Sequence, residues 1–429
     1  TSLKLNFIIK KHITYIVFLM QFSLVIAVEE RLRLESADLL ESKLIENESV
    51  KFISKNVVFR KGSLTLYCDE GRHFEKKALA ILYNNVSAIQ NDRTLTCDTI
   101  KFFSKKNQLI SIGNARAWDK NYDLMADSII VFTTKDSGVA IGNVTLVQKG
   151  QIITANRIEY QKDKKYDGIS YTAKGNVTIR DSSRVAHCGL ASYNRKKEKS
   201  ILNIDPEIRD DARVLSGDRI ELTYYGEELN NLYIPKNARA ITPVNGYLKS
   251  NINSVKYLDK IDYEDRLEGS ELKSSFKNGS IDSLWISGMA KTTYHVFEDS
   301  IYRARNNASG DTIIMKFVNN ELSQLNIIGG SKGEYFPDSI SNEINSPIIY
   351  SANNIQYRFL EKESDFEGQA KIKHDKTKLE SGFINVKWQD HILNALPKSE
   401  NDSINPPFFP IIEEEGKDPM IGNAMVYNL

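Results

Sequence analysis

Three aspartates, Asp69, Asp98 and Asp127, stand 29 residues apart in similar surroundings. Carboxylates brought side by side by a regular fold offer two chemistries: paired acid and base work on a glycosidic bond, and oxygen coordination of calcium. The series continues at Asn156, Gly189 and Asp218, at intervals of 29, 33 and 29. An amide and a glycine cannot do acid–base work, so that is not what the series repeats. The favoured reading is that these side chains cap backbone amides where the chain bends.

The other reactive groups are no better organised. Six histidines (His12, His73, His187, His295, His374, His391) are scattered with no pair at metal-ligand spacing, and are expected on the surface or in loops. "GGSKGEY", Gly329 to Tyr335, has close glycines but no following Lys-Ser or Lys-Thr, and reads as a turn that ends a strand. Cys68, Cys97 and Cys188 are an odd count and each stands one residue before a member of the series, where Ala126, Ala155 and Gly217 also occur. Small-residue packing explains them better than a disulfide framework. With 57 Lys and Arg against 56 Asp and Glu, interspersed, no nucleic-acid stripe is present. Neither a catalytic group nor a cofactor or metal site is expected.

The elements that position these residues follow from the columns around the series. Three before each member are Leu66, Leu95, Leu124, Ile153, Ala186 and Leu215; two after are Gly71, Ile100, Ile129, Ile158, Ala191 and Ile220; four after are His73, Phe102, Val131, Tyr160, Tyr193 and Leu222. Alternation of period two predicts strands with one face buried. The apolar parity changes at the series residue, so each strand must bend there, and the small residue before it suits a tight corner. A second column, Asn56, Asn85, Asn114, Asn143, Asn176 and Asp205, stands 13 residues before each member, with Gly113, Gly142 and Gly175 preceding three of them. Gly-Asn is expected to open a turn, with "KKNQ" (Lys105 to Gln108) and "QKG" (Gln148 to Gly150) as exposed loops. Beyond Asp218 the pattern loosens, with members expected at Asn253, Asp311, Asn353, Gly382 and Asn423 and the register unsettled over residues 240–300.

A basic start (Lys4, Lys10, Lys11), an apolar run from Ile13 to Val28 and "VIA" at Val25 to Ala27 read as a secretory signal peptide over residues 1–27. The opening on Thr1 and the unfinished pattern after Asn423 are read as signs of a fragment.

"GNVTLVQKGQIITANRIEY", "LTCDTIKFF", "LMADSIIVF" and "LSGDRIEL" resemble the repeats of the OstA/LptA family of lipopolysaccharide transport proteins, most strongly up to about residue 225. The tail "NPPFFPIIEEEGKDPMIGNAMVYNL" is similar to sequences near the end of the periplasmic repeats in the LptD branch. The resemblance implies an elongated antiparallel β-jellyroll, a V-shaped stack of bent strands whose apolar interior takes acyl chains while sugars face solvent. It also implies periplasmic or outer-membrane-associated placement, edge-strand pairing with other jellyroll domains of a transport bridge, and an outer-membrane barrel as neighbour or continuation.

The expected organisation is a signal peptide (1–27), a linker or first-strand region (28–49), regular repeats (50–235) and divergent repeats (236–429). The expected function is a lipid conduit carrying lipopolysaccharide or a similar anionic amphiphile, without enzymatic activity or cofactor and with no nucleic-acid partner. Its acyl-chain surface would be Leu95, Ile100, Phe102, Leu124, Ile129, Val131, Ile153, Ile158, Tyr160, Tyr193, Leu215, Ile220 and Leu222. Two other classes stay open: a β-helical polysaccharide-processing enzyme, and a structural or adhesive repeat protein with a filled interior.

Overall fold

Runs of β-branched and aromatic residues between two- to four-residue polar turns leave the chain one regular option, the antiparallel ladder. A computed structural model describes residues 31–162, 165, 169–210, 213–226, 228–252, 255–338, 346–398 and 408–428. Its strands all belong to one sheet, and almost every strand pairs antiparallel with the next in sequence. The expected signal peptide and the series member Asn253 lie outside the described residues.

From Leu64 to Asn194 the strands are 11 or 12 residues long. Each ladder shifts register once, near its middle, where a series residue faces the second column. The pairing of Arg93–Phe103 with Gln108–Trp118, for example, breaks between Thr96 and Thr99. Every strand is therefore bent into two arms, and the stacked bends make a V whose inner faces bury the apolar columns.

The Gly-Asn column is where expectation and structure part. Gly113-Asn114, Gly142-Asn143 and Gly175-Asn176 do not open turns: they sit mid-strand, as bulges in Gln108–Trp118, Ser137–Gln148 and Ile169–Arg180. Both residues of each pair have positive φ, 79° and 45° at Gly113 and Asn114. Two consecutive left-handed residues kink a strand when its ladder resumes beyond them, and reverse it only when it does not. "GGSKGEY" is the same device. Gly329 and Gly330, with φ of 81° and 57°, kink the strand Glu321–Pro337 rather than ending it.

The register beyond Asp218 also resolves. Leu267, Leu272 and Ser274 are buried and Gly269 is half-buried, and they stand three before, two and four after, and one before Ser270. Ser270 is the series residue there, its backbone N–H bonded to Ser287 O at 2.8 Å. The strands Ala238–Ile252 and Val255–Gly269 form a long hairpin that delays the series. Asp311, Asn353 and Gly382 then fall at bends as expected. At Asn423 the strand is split into Met420–Ile421 and Met425–Asn428, which pair with Ile411–Glu414 and Ile392–Leu396.

Candidate functional site

The apolar columns converge on one interior. Of the thirteen residues expected to line it, Leu95, Ile100, Phe102, Leu124, Ile129, Ile153, Ile158, Tyr160 and Ile220 are buried. Val131, Tyr193, Leu215 and Leu222 are half-buried and pack against the core from nearer the arm tips. Tyr160 lies against backbone, where a Cβ on Gly138 would come within 2.5 Å of its hydroxyl. Burial pushes its phenol well above the ordinary range. Tyr122 and Tyr160 stand 6.5 Å apart, and Tyr171 and Tyr193 5.7 Å apart, so aromatic pairs line the wider part of the V.

At the bends the aspartates take side-chain amides of the facing column, and not the backbone amides expected of them. Asn85 Nδ2 donates to Asp69 at 2.6 Å, Asn114 to Asp98 at 3.1 Å, Asn143 to Asp127 at 3.1 Å and Asn237 to Asp218 at 2.7 Å. The glycine before the asparagine makes the seat: a Cβ at Gly113 or Gly142 would lie 2.2 Å from the facing aspartate oxygen. These carboxylates are exposed on the outside of the corner, turned from the interior. Among the described residues no group of three His, Cys, Asp or Glu is placed to hold a metal ion.

Cys68, Cys97 and Cys188 are free and buried in the corner. Burial pushes the Cys68 and Cys97 thiols up to about 12, leaving them packing groups rather than nucleophiles. His295 departs from the surface expectation. It is 8% exposed, its Nδ1 lies 2.9 Å from Asp265 Oδ1, and its ring stacks on Tyr263 at 4.5 Å. Burial raises Asp265 above the usual carboxylate range.

The arm tips of the first stack, the bent strands from Glu48–Lys61 to Arg184–Asn194, meet across the opening of the V, in contacts the sequence reading missed. Lys61 Nζ donates to Ser104 O and Asn107 Oδ1, both at 2.6 Å. Arg93 Nη2 lies 2.7 Å from Asp136 Oδ1, and Lys162 Nζ lies 2.6 Å from Asp119 Oδ2. Lys61 to Ser104, Arg93 to Asp136 and Asp119 to Lys162 each span 43 residues, about one and a half periods. That recurrence is a signal a search at half-period offsets would find. An open groove of about 640 Å³ runs past Gly138, Tyr160, Tyr171 and Tyr193, while elsewhere the packing leaves little room. One cavity of about 50 Å³ lies beneath Arg93 and Asp136, and another of about 80 Å³ is bordered by Leu215, Leu222 and Phe276. At roughly 10–15 Å³ per water by this measure, each holds a few waters and not an acyl chain.

A stack of bent strands around one apolar interior, with acids committed to its corners, defines a repeat scaffold whose concentrated chemistry is hydrophobic. Residues 29–112 match the family of OstA-like proteins, and residues 123–227 match the family described as LptA/(LptD N-terminal domain) LPS transport protein. Over these two stretches the chain is similar to the OstA/LptA-like lipopolysaccharide transport family. No curated protein matches it. A similar solved structure is that of LptH from Pseudomonas aeruginosa, the LptA homologous periplasmic component of the conserved lipopolysaccharide transport device. The two are 14% identical, with 35% of this chain and 94% of that one covered and a TM-score of 0.27.

Proposed function

We propose that this chain is a periplasmic lipopolysaccharide transport protein whose interior carries the acyl chains of the amphiphile toward the outer membrane. The observation that carries the reading is the continuity of the apolar columns: the same buried positions recur on successive strands, so a long apolar chain meets like surface at every step. Each methylene moved from water to that surface contributes about 0.8 kcal/mol, which retains a lipid without any catalytic group. Beyond the groove at Tyr160, Tyr171 and Tyr193 the interior is packed, and there the arms separate to admit the chain. Residues 1–27 act as the export signal, the regular repeats to about 235 form the main track, and the divergent repeats beyond extend it.

The ends support assembly with other jellyroll domains. Leu39, Leu40, Leu44 and Ile45 are exposed on the strand Leu39–Ile45, and Met420, Ile421 and Val426 are exposed near the other end. Among the described residues each of these strands is paired on one side only, and an edge with apolar side chains can pair with a partner's edge through backbone hydrogen bonds.

The test is a photocrosslinking residue at Val131, Ile158 or Ile220, with controls at Lys105 and Lys149, in protein made in the periplasm of a lipopolysaccharide-producing host. Lipid adducts confined to the interior positions support the conduit. Folded protein with none supports the second reading, a filled structural scaffold, which the small residual cavities favour.

A further inference from the structure

The joints between the two rims are not equivalent. The Asp119 side chain is fully buried, and its carboxylate takes the backbone N–H groups of Asn121 at 2.7 Å and Tyr122 at 3.2 Å besides Lys162. Asp136 is partly exposed, and among the described residues its carboxylate is held by Arg93. Arg93 in turn spends Nη2 on Asp136 while its Nε is buried without an acceptor. Directly beneath lies the cavity of about 50 Å³, bordered by Leu95, Leu109, Tyr122, Val131 and Tyr160. A guanidinium with an unused donor, above apolar space and held by one displaceable carboxylate, has the two-part character of an amphiphile with an anionic head. Its planar fork suits a phosphate or carboxylate, which presents two oxygens together.

We propose that the Arg93–Asp136 joint is a lateral port of the interior, and that Arg93 receives the anionic head of the amphiphile as the joint opens. The assignment rests on the conduit reading above. Asp136 is the competitor that keeps the port shut when no lipid is present, and the buried Asp119–Lys162 joint is the fixed hinge beside it.

The full chain is titrated calorimetrically with dodecyl phosphate, dodecyl maltoside and inorganic phosphate, the two amphiphiles below micelle-forming concentrations. Wild type is expected to prefer dodecyl phosphate. Arg93→Gln weakens that ligand about tenfold, the scale of one charge-assisted hydrogen bond, and leaves the maltoside no weaker. Asp136→Asn, which keeps the cation and removes its competitor, tightens dodecyl phosphate several-fold, and Arg93→Lys retains part of the preference. Circular dichroism and urea midpoints confirm that each variant is folded, and Asp136→Asn carries the test should Arg93→Gln not fold. If both Arg93→Gln and Asp136→Asn change the two amphiphiles equally, the head assignment falls and the conduit stands. If inorganic phosphate binds as well as dodecyl phosphate, the site is a simple anion patch and the port is refuted. If neither amphiphile binds any folded form, both readings fail together.

Discussion

The first stack and a second, the strands from Val255–Gly269 to Thr377–Lys387, solve one problem with different lengths of chain. Between Leu64 and Asn194 every arm is short, whereas the strands Ser280–Glu298, Ile301–Val318 and Glu321–Pro337 run to 19, 18 and 17 residues. The corner is nevertheless the same. Around Asp311 the residues Ala308, Gly310 and Ile313, and around Asn353 the residues Tyr350, Ala352 and Ile355, occupy the columns set by Leu95, Cys97 and Ile100, and every one of the named non-glycine residues is buried. A Cβ at Gly329 would lie 2.3 Å from Asp311, as one at Gly113 would lie 2.2 Å from Asp98. Corner geometry is thus set locally by a glycine, a short polar side chain and a small neighbour, while arm length is free to vary. The longer arms of the second stack carry an aromatic cluster of Tyr263, His295, Phe297 and Tyr302 with ring centroids 4.5 to 6.3 Å apart, which has no counterpart among the described residues of the first.

Core truncation should break the comparison most forcefully. Phe102 in the first stack and Phe366 in the second are both fully buried. Phe102→Ala and Phe366→Ala are each expected to cost about 3–5 kcal/mol. In urea unfolding followed by hydrogen exchange, each should lower protection in its own stack more than in the other, because repeat units couple chiefly to neighbours. Equal loss throughout would show one cooperative body.

A smaller effect tests the shared corner. Gly113→Ala and Gly368→Ala put a Cβ where φ is positive and a polar side chain is seated, 2.2 Å and 2.6 Å away. Both should destabilise by about 2 kcal/mol, against about 1 kcal/mol for Gly150→Ala, which has positive φ in a turn and open space around it. Unequal losses at Gly113 and Gly368 would mean that the two corners only look alike.

The smallest concerns acid. Burial alone would raise Asp365, but hydrogen bonds from Arg358 and Asn385 more than offset it and hold its carboxyl below the ordinary range. A carboxylate depressed on folding stabilises the native state fully above its unfolded pKa of about 3.9, and that stability is lost as pH falls through the folded value. Asp365→Asn should therefore flatten the decline in stability of the second stack below about pH 4, measured by urea midpoints, and leave the first stack's decline unchanged. An unaltered slope would remove Asp365 from the account.

Much of this was legible before any coordinates. Strand alternation and the parity change at Asp98 or Asp127 both register in side-chain type, and they fixed the bends and the buried face from Leu64 to Leu222. What stayed hidden depended on context that a local pattern does not carry. Gly142-Asn143 has the backbone freedom of a hairpin turn, and only the ladder resuming at Val144 makes it a bulge. Ser270 escaped notice because a hydroxyl replaces the usual Asp or Asn and the hairpin from Ala238 to Gly269 displaces it from the period. His295 is buried through Asp265, 30 residues earlier. The rim joints involve polar turn residues whose types look like ordinary solvent-facing loops, and only their common offset marks them.

The central claim is that the packed arms separate around an acyl chain. The most direct measurement is a pulsed electron–electron resonance distance between spin labels at Ser63 and Lys106, exposed residues on facing rims next to the Lys61–Asn107 joint. The native cysteines do not interfere, since burial pushes their thiols up to about 11 or 12. With saturating lipopolysaccharide the account predicts a shift of the distribution to longer distances, reversed when lipid is removed. A distribution unchanged by lipopolysaccharide would contradict it and leave the interior a filled core.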